Sequence, residues 1–332
     1  MKVYNESLNE KMGEGIASKL LEIRKKRNFT ASEYVENKAN TLNSYMSKFG
    51  LKACVVAVSG GIDSAIVLGI VNYASKKENS PIEKIVPLLL PISKSKGVTN
   101  QDKATERGLE LCEKLNISPN IIDLSDVNKN IDDNLKRCLN ISSDAWAIGQ
   151  LGPYSRTPVL YYTTSLLSQE GYPAIVCGTT NKDEGSYLGY IGKASDGMVD
   201  VQLISDIHKS EVYSVGKFLD IPSSIMTVTP SGDMYDNRTD EMVFGASYDF
   251  VELYLNFLNW SNQKKILFLE SLSTKDRDQF MFYASNLENM HKYNLHKYMA
   301  YSPAIHLDLW DSSVKDGWEG YFTRFQKIMG EE

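Results

Sequence analysis

Cysteine is scarce in this chain of 332 residues, and its four copies show no paired spacing. Cys54, Cys112, Cys138 and Cys177 form no Cys-x-x-Cys motif, which argues against a zinc site and against a disulfide framework. The four histidines show no metal-ligand spacing either. The first residues lack the apolar core of a secretion signal, so we expect a protein of the reducing cytoplasm.

The sequence also lacks an excess of positive charge and any apolar run of membrane-spanning length. Its 42 acidic residues outnumber its 36 basic residues, which gives a formal net charge of −6. We therefore expect neither broad electrostatic binding of nucleic acid nor insertion into a membrane. A hydrophobic content of 42% is ordinary for a globular protein, and the length suits one large domain.

Two common nucleotide-binding motifs are missing, namely the Walker loop and the dinucleotide fingerprint with its third glycine. In their place the chain has Ser59-Gly60-Gly61-Ile62-Asp63-Ser64 between an apolar run at 53–58 and an apolar stretch that starts at Ala65. A helix that begins there points its backbone N–H groups and its positive dipole end at an anion. The two glycines permit close approach and the serines add donors, so the hexapeptide predicts a phosphate site.

Asp63 has two interpretations at this stage. A carboxylate in the first turn of a helix stabilises the helix dipole without any chemistry. The same carboxylate beside a bound phosphate is a suitable ligand for Mg²⁺. The motif by itself leaves both open.

Strand and helix signals alternate through the middle of the chain. Apolar strand-like runs occupy 53–58, 84–90, 120–124 and 173–178, with helical stretches near 63–76, 101–115, 127–139 and 155–170. This alternation predicts an α/β fold with a doubly wound parallel sheet and helices on both faces.

We expect a single domain over residues 1–332. Its core spans about 50–260, preceded by a helical segment at 1–49 and followed by a helical extension at 261–332. Beyond residue 207, helical patterns occupy 209–219, 240–258 and 275–297.

A second constellation lies between residues 175 and 245. It comprises Gly178-Thr179, Glu184 five residues after Thr179, Lys193 with Asp196-Gly197, Lys209 at a helix start, and Thr239-Asp240-Glu241. Together with the Ser59–Ser64 loop, these motifs resemble the ammonia-dependent NAD synthetase family of the N-type ATP pyrophosphatase superfamily. The resemblance covers about residues 50–260.

The resemblance implies transfer of AMP from ATP to the carboxylate of deamido-NAD, followed by attack of ammonia and release of AMP. By resemblance, ATP would be bound by Ser59, Gly60, Gly61, Asp63, Ser64, Thr179, Lys209 and Thr239. Mg²⁺ would be held by Asp63 and Glu184, and deamido-NAD by Arg156, Lys193 and Asp200. Asp196 would act with Lys193 as the catalytic pair at the ammonia site, where a base is needed because ammonium is not a nucleophile.

Asp196 and Lys209 also have plainer interpretations. Ser195-Asp196-Gly197 suits an ordinary solvated turn, and Lys209 could be an exposed lysine in a first helical turn. The sequence departs from the family at Pro158, where a second arginine is expected after Arg156. This departure leaves the acceptor open.

The resemblance further implies a homodimer that uses free ammonia or ammonia from a separate glutaminase. About fifty residues precede the phosphate loop, too few for the nitrilase-like domain of glutamine-dependent members. One alternative keeps the fold and changes the acceptor, namely another ATP-dependent amide-forming or tRNA-thiolating ligase. The other, of a different class, is a nucleotide-binding regulatory module that has lost catalysis.

Overall fold

The computed structural model describes residues 12–92, 103–232, 238–299, 305–310, 326 and 329–330. Within these ranges the strands are β1 (Ala53–Ala57), β2 (Lys84–Leu89), β3 (Asn120–Ile121), β4 (Ala174–Gly178), β5 (Val201–Gln202) and β6 (Ile305–His306). The helices are α1 (Glu14–Arg27), α2 (Ala31–Lys48), α3 (Ile62–Ser75), α4 (Ala104–Leu115), α5 (Ser125–Leu139), α6 (Ala145–Gln169), α7 (Lys182–Gly185), α8 (Lys209–Phe218), α9 (Ser223–Met226), α10 (Asp240–Phe244), α11 (Tyr248–Leu258), α12 (Asn262–Ser271), α13 (Thr274–Asn294) and α14 (His296–Met299).

The six described strands run parallel in one sheet, in the order β3-β2-β1-β4-β5-β6. The chain moves outward from β1 through β2 to β3, and then returns to the other side of β1 for β4 to β6. This is a doubly wound sheet, which confirms the predicted fold class. Its switch point lies between β1 and β4, where ligands of such sheets bind beyond the carboxyl ends of the strands.

Alternate residues of β1 face two different helix layers. Val55 belongs to an apolar cluster with Val176 of β4 and Leu160 of α6. Its neighbours Cys54 and Val56 belong to a second cluster that includes the buried residues of α2, α3 and α8. Both faces of the sheet are therefore covered, as the strand-like apolar runs predicted.

The four predicted strands are present, although β3 has only two residues of the predicted 120–124, and β5 and β6 were not predicted. Each has only two residues, which is too short for a periodic pattern. The C-terminal extension is helical over α12 to α14, as expected, yet beyond them it adds β6 to the sheet beside β5. The extension is thus part of the main sheet rather than an all-helical appendage.

Two helix predictions had wrong boundaries. The stretch at 240–258 is two helices, because Gly245 adopts the left-handed conformation (φ 63°) and Ser247 caps the next helix through the backbone N–H of Phe250. Helix α6 begins at Ala145, ten residues before the predicted start, and contains Pro153 and Pro158. Pro153, which precedes the predicted start, concealed the first turns of this helix.

Helices α1, α11, α12 and α13 enclose a further apolar cluster that is rich in aromatic rings. Among the described residues, no helix is long and apolar enough to cross a membrane. The four cysteines are free, and Cys54 and Cys177 are buried as expected.

Candidate active site

A cavity of about 410 Å³ opens at the carboxyl ends of β1, β2 and β4, a size typical of small-molecule sites. Nine of the predicted site residues line it, although they come from distant parts of the chain. These residues are Ser59, Gly61, Asp63, Ser64, Arg156, Thr179, Glu184, Asp196 and Lys209.

The Ser59–Ser64 loop joins β1 to α3, as predicted. Gly60 adopts φ 75°, and a Cβ there would lie 2.4 Å from the carbonyl oxygen of Ala104, so only glycine fits. The backbone N–H of Ser59 donates to Ser64 Oγ at 3.2 Å, and Ser64 Oγ donates to the carbonyl of Gly61 at 3.1 Å. The loop is therefore held in shape beside the N-terminus of a 14-residue helix, where backbone N–H groups suit an anion.

The ammonium group of Lys209 contacts both predicted metal-binding carboxylates of this site. Its Nζ donates to Asp63 Oδ2 at 2.6 Å and to Glu184 Oε1 at 3.0 Å, and the residue is only 1% exposed. Burial alone would lower the pKa of Lys209, but the two carboxylates outweigh burial and hold that pKa well above its ordinary value. Lys209, predicted to contact phosphate, thus lies between the two predicted metal ligands.

The two carboxylates are arranged to share one cation. Their oxygens lie within 3.0 Å of the same nitrogen, the ammonium of Lys209. Among the described residues no cluster of three or more His, Cys, Asp or Glu forms a metal site. Mg²⁺ commonly takes one or two carboxylates and completes its shell with phosphate and water, so Asp63 and Glu184 fit that role.

Further polar side chains, whose roles the sequence analysis missed, fix these carboxylates. Asn181 Nδ2 donates to Asp63 Oδ1 at 2.8 Å, and Asn181 is fully buried. Tyr248 donates its hydroxyl to Glu184 Oε1 at 2.7 Å or to Asp240 Oδ2 at 2.8 Å. Such support holds the carboxylates where a cation would meet them.

A buried carboxylate–imidazole pair lies behind Lys209. Asp183 Oδ1 is 2.6 Å from His208 Nδ1, and its other oxygen accepts from the backbone N–H of Lys209 at 2.7 Å. Burial lowers the pKa of His208 to about 4 and raises that of Asp183 to about 7. The His208 imidazole is therefore neutral near pH 7 and shares one hydrogen bond with Asp183.

The buried His208 predicts one component of acid sensitivity. The unfolded chain takes a proton on this residue below about pH 6.5, whereas the folded chain does not until about pH 4. A lowered folded pKa means stability that is present above pH 6.5 and is lost as the pH falls towards 4. The shift corresponds to about 3 kcal/mol. We expect His208→Gln to lose less unfolding free energy than the wild type between pH 6.5 and 4.5 in urea titrations, whereas equal losses would contradict the assignment.

Of the residues predicted to act on the acceptor, some line the cavity and others do not. Asp196 lines the cavity, and its Oδ2 accepts from the backbone N–H of Gly192 at 3.1 Å. Arg156 also lines it and directs Nε to the carbonyl of Leu90 at 3.3 Å. Lys193 is exposed and is not among the cavity-lining residues, so its catalytic role stays a prediction.

Asp200 and Thr239 make local contacts. Asp200 Oδ2 accepts from the backbone N–H of Val176 at 2.7 Å and so fastens β4. Thr239 caps α10 by accepting from the backbone N–H of Met242 at 3.3 Å. Their predicted contacts to deamido-NAD and ATP stay predictions.

The family model for NAD synthase matches residues 34–299. The chain belongs to the NAD synthase family. An NH3-dependent NAD(+) synthetase of Thermoplasma acidophilum is 29% identical over 234 residues, which are 68% of this chain and 88% of that relative. Family membership makes the chain an ATP-using ligase of this family.

Solved structures of the NAD synthase type have the same fold. The NMN synthetase of Francisella tularensis matches with a TM-score of 0.63 and 26% identity, over 81% of this chain and 96% of that one. The NH3-dependent NAD synthetase of Campylobacter jejuni, in complex with nitrate, matches with a TM-score of 0.60 and 22% identity, over 81% and 97%.

Proposed function

We propose that this chain is an ammonia-dependent NAD synthetase. ATP transfers AMP to the carboxylate of deamido-NAD with release of pyrophosphate, and ammonia then displaces AMP to form the amide of NAD. The observation that carries this proposal is the convergence of Asp63 and Glu184 on one cation beside a phosphate loop, in a member of the NAD synthase family.

On the ATP side, the Ser59–Ser64 loop would bind the departing pyrophosphate through backbone N–H groups and the two serine hydroxyls. Lys209 would stabilise the negative charge that develops at the α-phosphate, because its ammonium is already held at the entrance of the loop. Thr179 and Thr239 would contribute hydroxyl contacts to the nucleotide. Ser59, Ser64 and Lys209 are ordered by protein hydrogen bonds before ATP arrives, which lowers the cost of orienting the reactants.

Mg²⁺ is the implied metal. Asp63 and Glu184 would hold it, and bound there it would neutralise charge on the phosphate oxygens. The ion pairs with Lys209 hold both carboxylates in position, so the shape of the site does not depend on the metal.

On the acceptor side, Asp196 would take a proton from ammonium and thereby leave ammonia free to attack the acyl carbon. Ammonia forms the new C–N bond while the bond from the acyl carbon to the AMP oxygen breaks, and the nitrogen gives its second proton to solvent water. Lys193, Arg156 and Asp200 would orient deamido-NAD. The ammonia would be free, or would come from a separate glutaminase.

A second acceptor is favoured by two observations. Pro158 stands where the family resemblance leads one to expect an arginine, and the Francisella structure, at 26% identity, is named an NMN synthetase. A product of that kind would require nicotinate mononucleotide as the carboxylate acceptor. The chemistry at the α-phosphate would be unchanged.

A direct comparison of the two acceptors tests the proposal. Purified protein would receive ATP, Mg²⁺ and ammonium with either deamido-NAD or nicotinate mononucleotide, and AMP and the amide product would be followed. We expect deamido-NAD to have a kcat/KM at least about tenfold higher. A higher kcat/KM for nicotinate mononucleotide would make that compound the acceptor instead of deamido-NAD. Nucleotide binding without AMP release in the presence of either acceptor would indicate an inactive module.

The proposed homodimer has a candidate interface on α5 and α6. Val127, Ile131, Leu135 and Leu139 recur every four residues along α5, and each is between 37% and 60% exposed. Neighbouring α6 exposes further large apolar side chains, namely Trp146, Ile148, Tyr154, Tyr162 and Leu166. Exposed apolar side chains on two neighbouring helices are typical of a protein interface, and a second copy of the chain is the partner that we propose.

Leu135→Glu is expected to convert the dimer to a monomer, because it places a charge within this apolar face. Leu267→Glu on α12 is a matched control, since Leu267 is similarly exposed (59% against 52%) on a different helix. Light scattering would give the masses of the wild type and of the two variants, and thus show which of them are dimers. A wild-type monomer, or a dimer that persists in the Leu135 variant, would contradict this interface.

A further inference from the structure

We propose that Gln202 is a positioning residue that holds the ATP half of the site and the acceptor half in register. The proposal rests on the function proposed above, in which Thr179, the neighbour of Thr180, belongs to the nucleotide side and Asp196 to the ammonia side. Gln202 is not among the predicted site residues, and it lies behind the cavity rather than in its lining.

The Gln202 side chain joins two segments that flank the cavity. Its Oε1 accepts from the backbone N–H of Thr180 at 3.3 Å, and its Nε2 donates to the backbone carbonyl of Asp196 at 2.8 Å. Because one partner is a donor and the other an acceptor, the orientation of the amide is fixed. One buried amide, 3% exposed, therefore sets the distance between the two segments.

The strand register explains why this position can reach both. Gln202 ends β5 and lies beside Gly178, the last residue of β4, so its side chain starts at the carboxyl edge of the sheet. A Cβ on Gly178 would lie 2.3 Å from Gln202 Oε1 and 2.6 Å from Val199 Cγ2. The absence of a side chain at Gly178 makes the space that the amide occupies.

The amide acts on Asp196 through its main chain, while the carboxylate of Asp196 is held by Gly192 on the other side. Thr157 of α6 donates its hydroxyl to the carbonyl of Ala194 at 2.6 Å and anchors the outer edge of the same loop. Loss of the Gln202 contacts would therefore release the inner edge, where the base meets the acyl carbon. A displacement of about 1 Å at a reacting group lowers rates by up to about 100-fold.

The test separates a positioning role from a purely structural one by the ratio of AMP to amide. Gln202→Met keeps the length of the side chain and removes both hydrogen bonds. With AMP transfer intact and the base misplaced, water would intercept the acyl adenylate, so we expect at least about two AMP per amide and a KM for ammonium raised about tenfold. The KM for ATP should change by less than about threefold, since the Ser59–Ser64 loop is untouched.

Two further variants complete the design. Gly178→Ala is expected to produce the same excess of AMP, because its Cβ displaces the Gln202 amide without changing that residue. Gln263→Met makes the same chemical change on the exposed face of α12 and should keep one AMP per amide.

An AMP-to-amide ratio of one in both Gln202→Met and Gly178→Ala, with wild-type KM for ammonium, would overturn the proposal. Hydrogen exchange of the backbone amides at 192–198 gives a readout that needs no turnover. If the wild type itself forms no amide, the proposed function fails. Hydrogen exchange is then the only test of the positioning role of Gln202. Faster exchange in Gln202→Met would then support the positioning role, and unchanged exchange would refute it.

Discussion

Replacing Asp63 with asparagine is expected to slow AMP transfer by about 10²- to 10³-fold. The amide keeps the shape of the carboxylate but removes the negative charge that faces Lys209 Nζ at 2.6 Å. It also removes one of the two oxygens that converge on the cation position. Pyrophosphate release in the presence of deamido-NAD, measured before any ammonia is added, reports this step alone.

The same variant should be less stable by about 3 kcal/mol, because a buried ammonium loses one of its two carboxylate partners. Asp278→Asn, on the exposed side of α13, makes the same chemical change. Its rate of AMP transfer and its unfolding free energy should equal those of the wild type within experimental error. Pyrophosphate release by Asp63→Asn at near the wild-type rate would refute its assignment as a cation ligand.

Lys209→Met is expected to lose about 3–5 kcal/mol of unfolding free energy at pH 8. Without the ammonium, the carboxylates of Asp63 and Glu184 face each other with no cation between them, and burial disfavours both charges. AMP transfer should fall by at least about 100-fold, because the charge at the α-phosphate is then uncompensated. Urea unfolding and pyrophosphate release measure the two effects.

Magnesium gives this prediction a second readout. The variant leaves two carboxylates available to a divalent cation, so millimolar Mg²⁺ should stabilise Lys209→Met more than the wild type. Lys275→Met, an exposed position on α13, serves as the control. Wild-type stability of Lys209→Met, or an equal response of both proteins to Mg²⁺, would contradict the shared cation position.

The sequence predicted the fold through features that repeat along the chain. The four predicted strands, with intervening helices, lie in apolar runs, and their alternation specified the doubly wound sheet. The pattern was least reliable for short or interrupted elements. It made β3 too long and missed β5 and β6, which have two residues each, and Pro153 interrupts the pattern of α6. Such elements form because the rest of the sheet and its helices hold them.

The site was predictable in its composition and only partly in its geometry. The family resemblance paired Asp63 with Glu184, and the structure brings the two carboxylates to one ammonium group. The position of Lys209 between them could not be predicted, since its helix start alone equally suits a contact to phosphate. Tyr248 and Gln202 belong to no motif, and their roles arise from tertiary contacts to Glu184, Thr180 and Asp196.

Oxygen transfer from the acceptor to AMP tests the adenylyl-transfer chemistry most directly. Deamido-NAD would be labelled with ¹⁸O at both carboxylate oxygens and converted with ATP, Mg²⁺ and ammonium. Because the acyl–oxygen bond breaks when ammonia attacks, we expect a single labelled oxygen in the phosphate of each AMP formed. AMP that carries no label while labelled deamido-NAD is converted to NAD would show that the carboxylate never received AMP, and would contradict the central claim.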